Sequence, residues 1–307
     1  MILSRQLVSN NEGGKTMKEK LNAFIEDFKK EALLDVIKVE LAANPTVGIT
    51  QSKVGGHFYL PKSACVPTND KGEQLMFLAQ INCEELPENA LYPKKGIVQF
   101  WIFGGDYDMG NDYENPCSDI NKRVLYYPTI EDHFSEQELT TLYKPKGDED
   151  GDLCTPIMTD IPLSMAFKPE KQWPLLFDYR AGAVFVKKWN SHFPEQQVGS
   201  LCEINDIDED LFGELYDALE IEKHTQIGGY GYFTQSDPRA CDSLQHYTEL
   251  LFQLDSYYGD EDYQILWGDS GVGNFFATKE QLKHLKIILK IQLIENKEVT
   301  LLVKLNR

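Results

Sequence analysis

No stretch of this chain approaches the ~18 consecutive apolar residues that a membrane-spanning helix needs. The opening residues, MILSRQLVSNNEGGKTM, lack the apolar core of a secretory signal. Cysteines spaced Cys-x-x-Cys are missing as well. The six cysteines stand apart at 65, 83, 117, 154, 202 and 241, none of them in a His-Cys ligand cluster. That excludes the common zinc-site spacings and favours reduced thiols over a disulfide framework. Positive charge is scarce: 30 Lys and Arg stand against 49 Asp and Glu, a formal charge of −19. Such a surface repels phosphate backbones. We therefore expect a cytoplasmic protein with no nucleic-acid and no membrane partner. Its acidity suits a basic protein partner, although it also serves plain solubility. The oligomeric state is not legible.

Familiar catalytic patterns are also lacking. GDSG at Gly268 to Gly271 matches part of the nucleophile loop of trypsin-like proteases. That loop continues Gly-Pro, whereas Val272 and Gly273 follow here, and no Ala-Ala-His-Cys stretch supplies the base. Ser270 therefore reads as a turn residue. The same GDSGVGN has neither a Walker ending nor dinucleotide spacing, so no nucleotide and no other cofactor is expected. In DYDMGNDYEN, residues Asp106, Asp108, Asp112 and Glu114 offer oxygens to a hard cation, but Gly110 occupies the fifth position of an EF-hand count. A solvated loop is the preferred reading, there and in GDEDGD, with Asp106, Asp108 and Asp112 as the residues to check. The six histidines are dispersed, and His57 is matched below by Tyr230, which cannot act as an imidazole ligand. We assign no catalytic residue and no metal site, and we lean away from an enzyme.

What is present is a large apolar fraction, 42% of 307 residues, enough for a sizeable core. Residues 1–16 are polar and aperiodic, and EGGK before a Met resembles a ribosome-binding site read in frame. We expect them to be a disordered, non-native extension with Met17 as the natural start. From Met17 to Ala43, Leu21, Phe24, Ile25, Phe28, Ala32, Leu33, Ile37 and Leu41 form one stripe of a long helix, which Asn44 and Pro45 end. Strands are expected at Gly96 to Phe103 and Arg123 to Pro128, a loop at Gly104 to Cys117, and helices at Glu131 to Tyr143 and Asp206 to Glu220. Thr278 and Gln281 have the spacing of a capping box. The tail KIILKIQLIENKEVTLLVKLNR alternates around ENKE, as a hairpin does.

Three boxes recur in the same order. Val54-Gly55-Gly56-His57-Phe58-Tyr59 matches Ile227-Gly228-Gly229-Tyr230-Gly231-Tyr232. Leu78-Ala79-Gln80-Ile81-Asn82 matches Leu251-Phe252-Gln253-Leu254-Asp255. Gly96-Ile97-Val98-Gln99-Phe100-Trp101 matches Gly271-Val272-Gly273-Asn274-Phe275-Phe276. Gly55 to Gln80 and Gly228 to Gln253 each span 25 residues, and the next intervals are 16 and 18. Two copies of a β-rich unit is the economical reading. The glycines Gly55, Gly56, Gly228, Gly229, Gly271 and Gly273 then serve backbone geometry. A glutamine within each apolar strand must be satisfied, most simply by the adjacent glycine turn. The copies diverge where Gln235, Asp237 and Arg239 replace Lys62, Ala64 and Val66.

KVGGHFYLP, LMFLAQINCEELP, GIVQFWIF, GGYGYFTQSDPR, LLFQLDS and ILWGDSGVGNFFATKEQL resemble the YwqG-like family of bacterial proteins, a domain of unknown function. The resemblance covers most of Met17 to about Leu285. It implies a mostly β, roll-like α+β fold and no agreed activity. It also implies a neighbourhood of toxin and immunity genes in some bacteria. The residues before Met17 and the lysine-rich tail after Leu285 depart from it, the latter replacing a short aromatic ending.

The expectation is thus an α+β, mainly β protein: duplicated roll-like units with a long N-terminal helix packed on them. Residues 17–46 form the helix, 47–143 the first repeat, 144–224 an acidic linker and connecting segment, and 225–307 the second repeat with its atypical tail, the repeats forming one compact domain. The favoured function is a non-enzymatic interaction module, of immunity type on the resemblance. The alternative is a small-ligand or metal-binding protein, or an enzyme, with a site at the seam between repeats. The residues offered for ligand or partner contact are Gln80, Asn82, Arg239, Gln253, Asp255, Trp267, Asp269 and Ser270.

Overall fold

The computed structural model describes residues 17–287, apart from 113, 177, 202, 205–208, 220–223 and 260–261, together with strand residues 302–306. The expected N-terminal extension, the first arm of the tail hairpin and the start of the helix at Asp206 lie outside the described residues.

The N-terminal helix is shorter than its apolar stripe suggests. Helix α1 spans Met17–Lys30 and buries Leu21, Phe24 and Phe28. Ala32 then turns the chain at a positive φ of 52°, and strand β1 runs Leu34–Ala43. The reason is local. Ile37 and Leu41 are four apart, a spacing shared by helix and strand, but Val39 lies between them and is buried on the same face. With Val36, Ile37 and Val39 all β-branched, the period of two prevails.

The fold is mainly β, with five α-helices among the described residues. Its centre is the antiparallel ladder of β1 with β6 (Leu163–Gln172), in register from Leu34↔Gln172 to Ala43↔Leu163. One face of this ladder is wet, with ion pairs Lys38–Glu170 and Lys168–Glu40, and Lys171 pairs with Asp35 at the exposed end of the other face. That other face buries Ile37, Val39 and Leu41. Outward from β6 come β2 (Lys53–Val54), β3 (Met76–Asn82), β4 (Ile97–Ile102) and β5 (Lys122–Tyr127). Outward from β1 come β7 (Gln226–Gly228), β8 (Glu249–Asp255), β11 (Val272–Ala277) and β12 (Leu302–Asn306). Among the described residues, β9 (Tyr257–Tyr258) and β10 (Tyr263–Ile265) form a separate pair. The segment expected to be a connection, 144–224, therefore supplies one of the two central strands. β12 is the second arm of the expected tail hairpin, paired antiparallel with β11.

The sheet curls into a half-barrel. Phe100 on β4 and Phe252 on β8 stand six places apart in the strand order, which would be about 29 Å in a flat sheet. Their ring centroids are 4.9 Å apart. One buried cluster fills the inside of the curl, with Phe100, Phe252, Phe275 and Trp267 among its members. Outside, Phe58, Phe77 and Trp101 pack under helix α2 (Glu136–Leu142), and Phe233, Tyr247 and Phe276 form a smaller cluster. α2 starts later than expected because Ser135 caps it, its hydroxyl taking the N–H of Glu138 in a capping box. Helices α1, α3 (Tyr179–His192) and α4 (Glu209–Leu219) share a core of Phe24, Phe28, Phe185, Trp189 and Leu215. Helix α5 (Lys279–Ile287) begins at the expected capping box. The Thr278 N–H donates to Gln281 Oε1 at 2.7 Å, and the Gln281 N–H donates to Thr278 Oγ1 at 3.1 Å.

Candidate functional site

Both glycine pairs are turns in the left-handed region: Gly55 and Gly56 at φ 67° and 69°, Gly228 and Gly229 at 73° and 72°. A Cβ on Gly56 would sit 2.7 Å from Pro162, and one on Gly229 would collide with the Gln172 side chain. Each turn delivers a tyrosine whose backbone is clamped by two buried amides. Gln80 Oε1 accepts the Tyr59 N–H at 3.0 Å, and Gln99 Nε2 donates to the Tyr59 carbonyl at 2.6 Å. In the other half, Gln253 Oε1 accepts from Tyr232 at 2.8 Å and Asn274 Nδ2 donates to the Tyr232 carbonyl at 2.8 Å. The remaining amide hydrogens also stay inside: Gln80 donates to the carbonyls of Ile49 and Gln51, and Gln253 to that of His224.

The loop before β2 is held in the same way. Lys53 Nζ donates to the Gly48 carbonyl at 2.6 Å and lies 3.5 Å from that of Val47, while Asn82 Nδ2 donates to Thr50 at 3.1 Å. With Gln80, every carbonyl from Val47 to Gln51 therefore meets a buried side-chain donor. Burial lowers the Lys53 ammonium to about 8.

Arg239 has no exposed surface. Its guanidinium pairs with Asp237 at 2.8 Å and Asp178 at 2.7 Å, and lies 3.9 Å from the centre of the Phe276 ring. Asp178 is the N-cap of α3 and is also gripped by Arg180. Burial works to raise the Asp178 carboxyl, but the Arg180 hydrogen bond and the two guanidinium charges outweigh it and hold it below the usual range. Sequence reasoning singled out Asp237 and Arg239 but missed Asp178 and Arg180, whose only local signal is an Asp before a helical run.

The other candidates lie elsewhere. Asp255 is buried, its N–H bonded to Thr225 Oγ1 at 3.1 Å. Trp267 is buried over Gly273, where a Cβ would come within 2.6 Å of the indole. Asp269 is exposed and Ser270 half-buried at φ 68° in the turn closed by Gly271 N–H to the Trp267 carbonyl, 2.7 Å. In the acidic loop, Asp106 accepts from the Asp108 N–H, and Asp112 from Glu114 and Asn115. Among the described residues, no three acidic, histidine or cysteine side chains gather as metal ligands.

A concavity opens instead beside the central ladder. It is a groove of about 360 Å³ between β6, the 44–52 loop and the one-turn helix Cys83–Glu85. Asn44, Gln51, Ser52, Glu85 and Ser164 give it polar walls, and Val47, Met165 and Phe167 give it apolar surface. Glu85 Oε2 accepts the Ser52 N–H at 3.0 Å. The Asn44 oxygen is occupied by Thr46 and the Gln51 oxygen by the Gly48 N–H, which leaves their amide hydrogens for the groove. No motif announces this site, because three segments far apart in the chain build it.

The profile of a protein family, described as Domain of unknown function (DUF1963), matches residues 52–287. The chain belongs to this family, to which YwqG-like proteins also belong. No curated protein matches the chain. No helix among the described residues is long and apolar enough to cross a membrane.

Proposed function

We propose that this chain is a cytoplasmic, non-enzymatic interaction module that engages a basic protein partner, the immunity-type role implied by the resemblance being one form of it. The observation that carries this reading is where the reactive-looking groups go. Gln80, Gln99, Gln253, Asn274, Asp178 and Arg239 are buried and bonded to the protein itself. What remains for the outside is an open groove and a surface dominated by carboxylates, with a formal charge of −19. The five described cysteines form no disulfide with one another, as suits a reducing compartment. The matched hydrogen bonds at Tyr59 and Tyr232, and a strand order that reads alike outward from β1 and β6, support descent of the two halves from one duplicated unit.

Affinity purification from the native cell at low and high salt tests the function. We expect a basic protein whose association weakens steeply with salt. A partner retained equally at high salt, or one that is itself acidic, overturns the reading. The groove's size favours one second reading, a small-ligand protein. A metabolite or metal ion that raises the melting midpoint of the intact protein would point there.

A further inference from the structure

We infer that the groove beside β6 is the seat for one arginine side chain of the partner. This rests on the reading of a basic protein partner and names its point of attachment. Three features of the groove converge on a guanidinium. First, it holds a carboxylate with a free oxygen. Glu85 is exposed, one oxygen is fixed by the Ser52 N–H, and the group makes no ion pair within 4 Å among the described residues. The neighbouring ammonium, Lys53, is turned into the carbonyls of Gly48 and Val47.

Second, the groove has an apolar side for the stem and face of such a group. Met165 and Phe167 of β6, both half-buried against the core, line it together with the buried Val47. A planar guanidinium can lie on an aromatic face while its N–H edge meets a carboxylate, which a spherical ammonium does less well. Third, the amide hydrogens of Asn44 and Gln51 suit a peptide carbonyl flanking the arginine. Their oxygens are already engaged, so these groups offer donors. The loop that carries them is not soft, because the buried donors of Lys53, Gln80 and Asn82 hold its carbonyls. The seat is thus preorganised, which lowers the ordering cost of binding.

The test uses the full chain and short peptides. Amide resonances are followed while acetyl-Gly-Arg-Gly-amide is added to about 10 mM, beside the same peptide with neutral citrulline, and beside its lysine analogue. We expect saturable shifts confined to residues around Gln51, Ser52, Glu85 and Ser164, with citrulline at least about tenfold weaker. Glu85→Gln keeps an oxygen for the Ser52 N–H and removes the charge, so it should fold and lose the arginine response. Equal binding of citrulline or lysine, no localised shifts, or an unchanged response in E85Q overturns the assignment. Salt-sensitive binding of an arginine-rich peptide that E85Q leaves intact removes the groove but keeps the interaction reading. If the groove shifts appear while purification finds no basic partner, the seat for arginine stands and the protein-partner reading falls.

Discussion

The rings of Phe100 and Phe275 meet edge to face with centroids 4.9 Å apart, although β4 and β11 stand near opposite ends of the strand order. These residues occupy matching places in the third pair of sequence boxes. Their contact closes the curl, so the inner core depends on both halves at once. We expect Phe100→Ala and Phe275→Ala each to cost about 3–5 kcal/mol, and the double variant to cost less than the sum by about 0.5–1.5 kcal/mol. Denaturant unfolding of the four proteins measures this. Strict additivity would show that the two arms do not support each other.

Two buried lysines predict opposite responses. Lys122 is 1% exposed, and its Nζ has no hydrogen-bond partner among the described residues. Burial pushes it down to about 8, against the pull of Asp112, Cys117 and Asp119. Below that value the ammonium is charged in both states, and folding bears its full desolvation cost. Between about 8 and the unfolded value near 10.4, only the unfolded chain holds the proton, so stability rises with pH. Lys122→Met should therefore stabilise by about 1–3 kcal/mol at neutral pH, with the gain shrinking towards pH ~10. Lys53→Met should instead destabilise, by about 1–3 kcal/mol, because the Gly48 carbonyl loses its donor. Urea titrations at the two pH values separate these cases, and a Lys122→Met variant less stable than wild type at neutral pH would refute the first.

The turns and strands carried by the boxes were legible because their signals are local: paired glycines, apolar runs, and Thr278 with Gln281. The role of Gln80 and Gln253 was also readable, since a buried amide needs partners and the glycine turn was the nearest supply. The rest depends on distant segments. β1 reads as a continuation of the preceding helix because Ile37 and Leu41 fit both periods. β6 carries four consecutive exposed residues, Lys168, Pro169, Glu170 and Lys171, and reads as a connection until its ladder with β1 is seen. The groove was invisible for the same reason, as Glu85 and Phe167 have no relation in sequence.

The family match begins at Ser52, yet α1 and β1 precede it. β1 pairs with both β6 and β7, so removing it would part the two halves of the sheet. Removing α1 would also strip Phe24 and Phe28 from the helical core. We expect a fragment of residues 52–287 to show no cooperative thermal transition and rapid proteolysis, where a chain beginning at Met17 shows a single transition. Native-like unfolding of the shorter fragment would mean that the outer strands close on themselves.

The last prediction concerns Arg239. The corresponding residue of the first half is Val66, within an apolar cluster of Phe58, Leu60 and Trp101. The second half replaces that apolar contact with two carboxylates and two guanidiniums, and each charge there is tolerated only through the others. Arg239→Met should therefore cost about 3–5 kcal/mol, because Asp178 and Asp237 lose a shared partner without reaching water. Adding Asp237→Asn should restore part of that loss, which a simple packing defect would not allow. The pH dependence has a definite sign. Asp178 is held below its ordinary value, so its contribution is complete above pH ~3.9 and fades as pH falls towards the lowered one. Without Arg239 that carboxyl loses one of its two cations, so acid unfolding should begin at a higher pH than in wild type. An acid midpoint that does not move, measured by circular dichroism, would show that Arg180 alone holds the charge.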